Sequence, residues 1–191
     1  YVDDLAIASR NPETITQLLS TKHEFKLRGV NEVTYHLGCD FFRDHDGNLC
    51  YAPLRYIDKL IDNYVRLFGC KPKQATSPLV KNDHPELDTS VFLELDKIPL
   101  YQSLVGAIQW VVQIGRFDVT TAIMTLSRFR AAPRQGHLDR IKRIYGYLSK
   151  MRFGTIRIRT DAPDFSDIPM KEFDWFYTAY SGATEEIPMN L

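Results

Sequence analysis

Two adjacent carboxylates, Asp3 and Asp4, stand between short apolar runs, Tyr1-Val2 before them and Leu5-Ala6-Ile7-Ala8 after them. With no Gly or Pro beside them, they read as the tight end of a β-hairpin whose second strand runs from Leu5 to Ser9. Adjacent carboxylates repel, and an unpaired ionised carboxylate against an apolar sheet is costly, so the pair calls for a counter-cation. A hard divalent ion suits it, because Mg²⁺ prefers carboxylate oxygen and is usually held by one or two carboxylates together with substrate phosphates. An Asp-Asp pair standing alone is more often solvated turn chemistry. The apolar flanks, and the segments that follow, weigh against that reading here.

The elements that must position such a site belong to a globular chain. Its 191 residues are 44% hydrophobic and 25% charged, enough to bury a sizeable core. No apolar run approaches the roughly 20 residues of a membrane span, so no membrane partner is expected. The three cysteines, Cys39, Cys50 and Cys70, are odd in number and lack metal-ligand spacing, which predicts reduced thiols. The net charge of zero hides an asymmetry: residues 1–100 carry 12 basic and 15 acidic side chains, residues 101–160 carry 11 and 2, and residues 161–191 carry 1 and 7. A compact block of +9 over residues 101–160 is the footprint of a surface that meets a polyanion. The alternative is a basic face neutralised by acids from elsewhere in the fold.

Asn11-Pro12-Glu13 offers an N-cap, a Pro at the first helical position and an acid in the first turn. Ile15, Leu18, Leu19 and Phe25 then predict a helix from about Pro12 to Glu24, packed on the sheet. Thr34 to Arg43 reads as one strand with Tyr35, Leu37 and Phe41 on one side; Asp44-His45-Asp46-Gly47-Asn48 is a turn, and Leu49 to Ala52 returns as the second strand of a hairpin. A helix from about Pro53 to Phe68 carries Ile57, Leu60, Ile61, Tyr64, Val65 and Phe68 as its stripe and Gly69 as its stop. Residues 70–79 read as extended linker and residues 80–97 as a long polar, solvent-exposed loop.

Leu104, Ala107, Ile108, Val111 and Val112 repeat at helical spacing, and Gly115-Arg116-Phe117-Asp118 ends that helix, with Asp118 placed to cap the next. The next helix carries Ala122, Ile123, Leu126 and Phe129. A third, about Gly136 to Lys150, puts Leu138, Ile141, Ile144, Tyr145 and Leu148 on one arc and Arg140, Arg143 and Lys150 near the opposite one. His137 reads as a residue of that helix's first turn, not a metal ligand. Thr155 to Arg159 alternates as a strand, and the tail then turns acidic and Pro-rich, with another strand suggested by Trp175, Tyr177 and Tyr180. Asp161, Asp164 and Asp167 read as loop acids. The fold class expected is α+β.

Several of these stretches, in order, resemble one family. Tyr1-Val2-Asp3-Asp4 is similar to the Tyr-x-Asp-Asp box of reverse transcriptases. Leu37-Gly38 followed by a hairpin, the Cys70 to Leu79 run with Ser77 as an extra residue before its Pro, Tyr101-Gln102-Ser103-Leu104-Val105-Gly106, Leu126-Ser127-Arg128-Phe129 and Arg143-Ile144-Tyr145-Gly146-Tyr147-Leu148 resemble the Ty1/copia class of retrotransposon polymerase. The resemblance covers about residues 1–153. It implies a palm remnant over residues 1–52, a thumb-like helix and linker over 53–100, a basic helical thumb and connection over 101–153, and an irregular connection over 154–191 leading toward an RNase H domain.

By that resemblance, Asp3 and Asp4 are the catalytic and metal-binding residues of a two-metal nucleotidyl-transfer site with Mg²⁺ as cofactor. Leu37 and Gly38 fall in the primer grip. Arg28 falls where the family usually has a Lys near the incoming triphosphate; an Arg clamps phosphate but is a poor general acid. Arg128, Arg140, Arg143 and Lys150 become nucleic-acid contacts that hold phosphates without reading bases. The implied partners are an RNA/DNA template-primer duplex, a dNTP and the rest of a Pol polyprotein, and the implied setting is intracellular, in a cytoplasmic virus-like particle and the nucleus. Such sites need a further Asp and nucleotide-holding fingers from upstream of Tyr1, so the chain alone is expected to lack polymerase activity. The alternative is a non-catalytic nucleic-acid-binding remnant of a retroelement, and a third reading is a scaffold that binds only protein.

Overall fold

A computed structural model of the chain describes residues 5–158, and its organising element is a helix whose neighbours surround it on several sides. That helix, α3 (Ile98–Gln113), buries Tyr101, Leu104, Val105, Ile108 and Val111. Around it pack α2 (Leu54–Phe68), α4 (Thr120–Ser127) and α5 (Gln135–Lys150), whose buried residues lie on the stripes the 3.6-residue spacing predicts, except that α4 ends before Phe129, which was expected on its stripe. Their side chains form one continuous apolar cluster. Each fully buried Leu or Ile in it, such as Ile108, Ile141 and Ile144, contributes about 1.5–3 kcal/mol. Tyr64 of α2 meets Tyr145 of α5 with ring centroids 5.3 Å apart, and the Tyr101 hydroxyl donates 2.7 Å to the Leu126 carbonyl oxygen. Gly69, at φ 71°, closes α2 in the left-handed conformation as expected.

The mixed helix and strand content is the α+β class expected. β1 (Tyr35–His36), β2 (Cys39–Arg43), β3 (Leu49–Ala52) and β4 (Ile156–Ile158) form one antiparallel sheet in that order. The β2–β3 hairpin and its Asp44–Asn48 turn match expectation, with Phe41 opposite Tyr51 and Arg43 opposite Leu49. β4 closes the sheet by pairing Ile156 with Tyr51 after the chain has passed through all the helices. The sheet is tied to the helices at the end of α3, where the Cys39 thiol donates 3.2 Å to the Ile114 carbonyl oxygen. It is also tied at α2, where buried Asp40 accepts the Arg55 backbone N–H at 2.9 Å and thereby caps that helix from outside.

Five expectations are corrected. Leu5 to Ser9 forms no strand: a hairpin strand needs a partner's ladder, and none of the described residues supplies one. The helix near Pro12 does form, as α1 (Pro12–Gln17) continued by a wider π turn (Leu18–Lys22), but it does not pack on the sheet and buries no residue. Thr34 to Arg43 is not one strand. Leu37 and Gly38, at φ 49° and 91°, make a two-residue turn between β1 and β2, so Leu37 leaves the side it was expected to share with Tyr35 and Phe41.

The loop at residues 80–97 is not simply solvent-exposed. It makes 3₁₀ turns at Pro85–Leu87 and Leu95–Lys97, buries Pro85 and Leu93, and bridges Phe92 to Arg134. Asp118 caps nothing; it lies in the 3₁₀ turn Phe117–Val119 and accepts hydrogen bonds from the buried Arg116 guanidinium and from the Tyr147 hydroxyl. The buried guanidinium outcompetes a helix end because an uncompensated charge costs far more than a missing cap.

Candidate nucleic-acid interface along helix α5

Helix α5 forms because its apolar residues fall on one arc, and it starts where His137 closes its first turn. The buried His137 ring accepts the Arg134 backbone N–H on Nδ1 at 3.0 Å and donates Nε2–H to the Pro85 carbonyl oxygen at 2.9 Å. Stacked on Phe129 at 4.0 Å between centroids, it is a structural residue of the helix start, as the sequence predicts. The basic residues of α5 then project from the side away from the core, and the fold treats them very differently.

Arg140 meets two carboxylates brought by the loop at residues 80–97. Its Nε and Nη2 donate to Asp83 at 2.8–3.0 Å, and its Nη1 donates to Asp88. The side chains of Arg140, Asp83 and Asp88 are 20%, 12% and 7% exposed. Burial pushes the Asp88 carboxyl up, but hydrogen bonds from Ser90 and Arg140 outweigh it and hold the group down at about 2. Donating to Asp83 stabilises the charged Arg140 guanidinium and, against the opposing effect of burial, raises it above its already high range. Ser90 extends the network by accepting the Gly136 N–H on its hydroxyl, and a Cβ at Gly136 would overlap the Asp88 carboxylate. The expectation that Arg140 stands on an open basic face is therefore corrected.

Arg143, one turn further on, has no carboxylate partner among the described residues. Its Nη2 donates 3.1 Å to the Ser77 hydroxyl, and its Nε lies buried with no hydrogen-bond partner among them. Between α5 and residues 73–75 lies a hollow of about 260 Å³ with Tyr64 and Ala75 among its walls, rimmed by Lys73, Lys142 and Arg143. Gly146 lets the two segments approach this closely, since a Cβ there would overlap the Lys73 carbonyl oxygen. Lys142 stands 4.8 Å over the Phe68 ring and 3.8 Å from Asp139. Lys73 and Lys142 escaped the sequence reading; Gly146, inside a helical pattern, was the signal of a close backbone approach.

Arg128 and Lys150 are exposed, at the ends of α4 and α5. Arg28 is exposed on the irregular stretch before β1. Leu37 is exposed in its turn, where a Cβ added at Gly38 would meet Ile114 at 3.4 Å and Trp110 at 3.6 Å. Asp3 and Asp4, like Asp161, Asp164, Asp167 and the aromatic tail, lie outside the described residues. Among the described residues, no group of three His, Cys, Asp or Glu side chains is arranged to hold a metal. No helix among them is long and apolar enough to cross a membrane. Cys39 and Cys50 are buried free thiols and Cys70 an exposed one; burial, with the Asp40 charge, pushes the Cys39 thiol up.

Much of the +9 block is answered inside the fold. Besides Arg140, Arg152 pairs with Asp58 and Arg157 with Asp44, all acids of the first hundred residues, and Arg116 pairs with Asp118. Arg128, Arg130, Arg134, Arg143 and Lys150 have no carboxylate within salt-bridge distance among the described residues. Arg134 instead caps the Phe92 ring at 3.8 Å.

No protein-family model matches the chain, and no solved structure matches it. Curated relatives do. The chain is 27% identical over 162 residues to a transposon Ty5-1 protein of Saccharomyces cerevisiae, covering 84% of this chain and 51% of that one. It is 29% identical over 150 residues to the retrovirus-related Pol polyprotein from transposon RE1 of Arabidopsis thaliana, covering 78% of this chain and 10% of that one. To the corresponding polyprotein from transposon TNT 1-94 of Nicotiana tabacum it is 25% identical over 155 residues, 78% of this chain and 11% of that one. The chain thus spans about half the length of the yeast relative and about a tenth of the plant polyproteins. At modest identity over most of its length, this chain is a homologue of the Ty1/copia-type retrotransposon Pol polyproteins.

Proposed function

We propose that the chain is the region of a reverse transcriptase running from the end of the palm, through the thumb, into the connection. Its sheet would be palm and its helix cluster thumb and connection, with the division at residues 52, 100 and 153 that the resemblance implies. The observation that carries this reading is the Tyr1-Val2-Asp3-Asp4 box standing ahead of a chain whose relatives are Pol polyproteins. Two adjacent carboxylates are hard oxygen donors that fit Mg²⁺, which would activate a primer 3′ hydroxyl and stabilise the leaving pyrophosphate. Asp3 and Asp4 would hold that metal, Leu37 and Gly38 would lie beside the primer, and Arg28 beside the nucleotide's phosphates. The cations left unanswered around α4 and α5 support a surface that follows a template-primer backbone.

A two-metal site needs carboxylates beyond this pair, and they would come from another part of the polyprotein. Purified chain is therefore expected to bind an RNA–DNA hybrid without extending it. Adding the upstream part of a related Pol polyprotein as a fusion should confer Mg²⁺-dependent primer extension, abolished by Asp3→Asn. Extension by the chain alone, or extension by the fusion that survives Asp3→Asn, would overturn the assignment.

A further inference from the structure

We infer that the hollow between α5 and residues 73–75 is a phosphodiester-binding subsite, with Lys73, Lys142 and Arg143 as its cationic ligands. The inference rests on the nucleic-acid reading above and adds to it which cations act and which do not. Three cations from two segments converge on one hollow, against the single carboxylate of Asp139. At about 260 Å³ it holds many times the roughly 30 Å³ share of one water, so a phosphate group fits with part of its hydration.

Lys142 and Arg143 are held in place, and Lys73 projects from a fixed main chain. The main chain at Lys73 is clamped against Gly146, Lys142 is seated over Phe68, and Arg143 is anchored by Ser77. By the resemblance, Ser77 is the extra residue of the Cys70 to Leu79 run. Its hydroxyl donates 2.7 Å to the Leu79 carbonyl oxygen, which leaves a lone pair aimed at Arg143. An Arg that spends one N–H on a neutral hydroxyl keeps most of its charge for an anion, and its unpartnered Nε marks a guanidinium short of acceptors. Arg140, three residues away, has spent its donors on Asp83 and Asp88 and is excluded from the subsite.

The test measures binding of the full chain to a fluorescein-labelled RNA–DNA hybrid across a salt series, with inorganic phosphate as a competitor at matched ionic strength. Lys73→Gln, Lys142→Gln and Arg143→Gln should each weaken binding several-fold and flatten the salt dependence by about one counterion. Arg143→Lys should keep that slope, while Arg140→Lys and Lys97→Gln, whose wild-type cations lie at hydrogen-bond distance from carboxylates outside the hollow, should leave it unchanged. Melting curves that overlay wild type confirm that Lys73→Gln and Lys142→Gln are folded. If wild type binds with a steep slope that only Arg128→Gln and Lys150→Gln reduce, the subsite is refuted and the nucleic-acid reading stands. If wild type shows no salt-dependent binding, both fall. Half-displacement by inorganic phosphate at concentrations that ionic strength alone does not explain would assign the subsite to free phosphate, not to a nucleic-acid backbone.

Discussion

Arg140 and Arg143 are the same residue type one turn apart on one helix, and the fold gives them opposite electrostatic fates. Arg140 is enclosed by Asp83 and Asp88. Arg143 meets only the Ser77 hydroxyl and borders an open hollow with Lys73 and Lys142. The difference follows the segments that cross α5: the acidic stretch at residues 80–97 brings Asp83 and Asp88 onto Arg140, and the basic stretch at residues 71–77 brings Ser77 onto Arg143. A cation on a helix face is therefore a structural tie or a free binding group according to the charge of a segment some 60 residues away.

The comparison can be broken most severely by Arg140→Met. Removing the cation leaves two nearly buried carboxylates without a cationic partner, and stability should fall by about 3 kcal/mol or more in chemical denaturation. A loss under about 1 kcal/mol would show that Asp83 and Asp88 find other compensation. Gly146→Ala comes next, because its methyl group must displace the Lys73 carbonyl; a loss of about 1–3 kcal/mol is expected, together with weaker hybrid binding.

The Arg140 side also carries a pH signature. Asp88 is depressed from its ordinary value near 3.8 to about 2, so its contribution is complete above about pH 4 and is lost as the pH falls through about 2. Asp88→Asn should flatten that limb of the stability curve, and an unchanged acid limb would contradict the pairing. Arg143→Met should be the mildest change, costing less than about 1 kcal/mol of stability, since the side chain it removes has no charged partner among the described residues. A larger cost would mean that Arg143 is a tie like Arg140.

The local rules reached far into this fold. Apolar spacing placed α2 and α5 within a residue or two of their observed limits and marked the existence of α3 and α4, and Gly69 and the Asp44–Asn48 turn fell where backbone chemistry requires. Leu37-Gly38 was misplaced for an instructive reason. A two-residue turn with both residues at positive φ is usually marked by Asn-Gly, and Leu in its first central position hides it. α1 shows the converse: its amphipathic pattern was legible, yet pattern alone does not supply a surface to bury it against. Of the candidate interface, Arg143 was legible in the chain, whereas Lys73 and Lys142 were not, because only the packing of residues 73–75 on α5 brings them to one hollow. Asp3 and Asp4 stood out for their chemistry, and their geometry lies outside the described residues.

The sequence by itself determined the α+β class, the helical stripes, the relationship to Ty1/copia-type Pol polyproteins and the concentration of positive charge after residue 100. Tertiary structure alone decided how that charge is spent, tying Arg140, Arg152 and Arg157 to acids of the first hundred residues and leaving Arg143 with Lys73 and Lys142 around a hollow. The physical reason is range. Helical periodicity is set by neighbours three and four residues away, whereas the strength of an ion pair depends on distance and burial between groups that the chain order does not bring together.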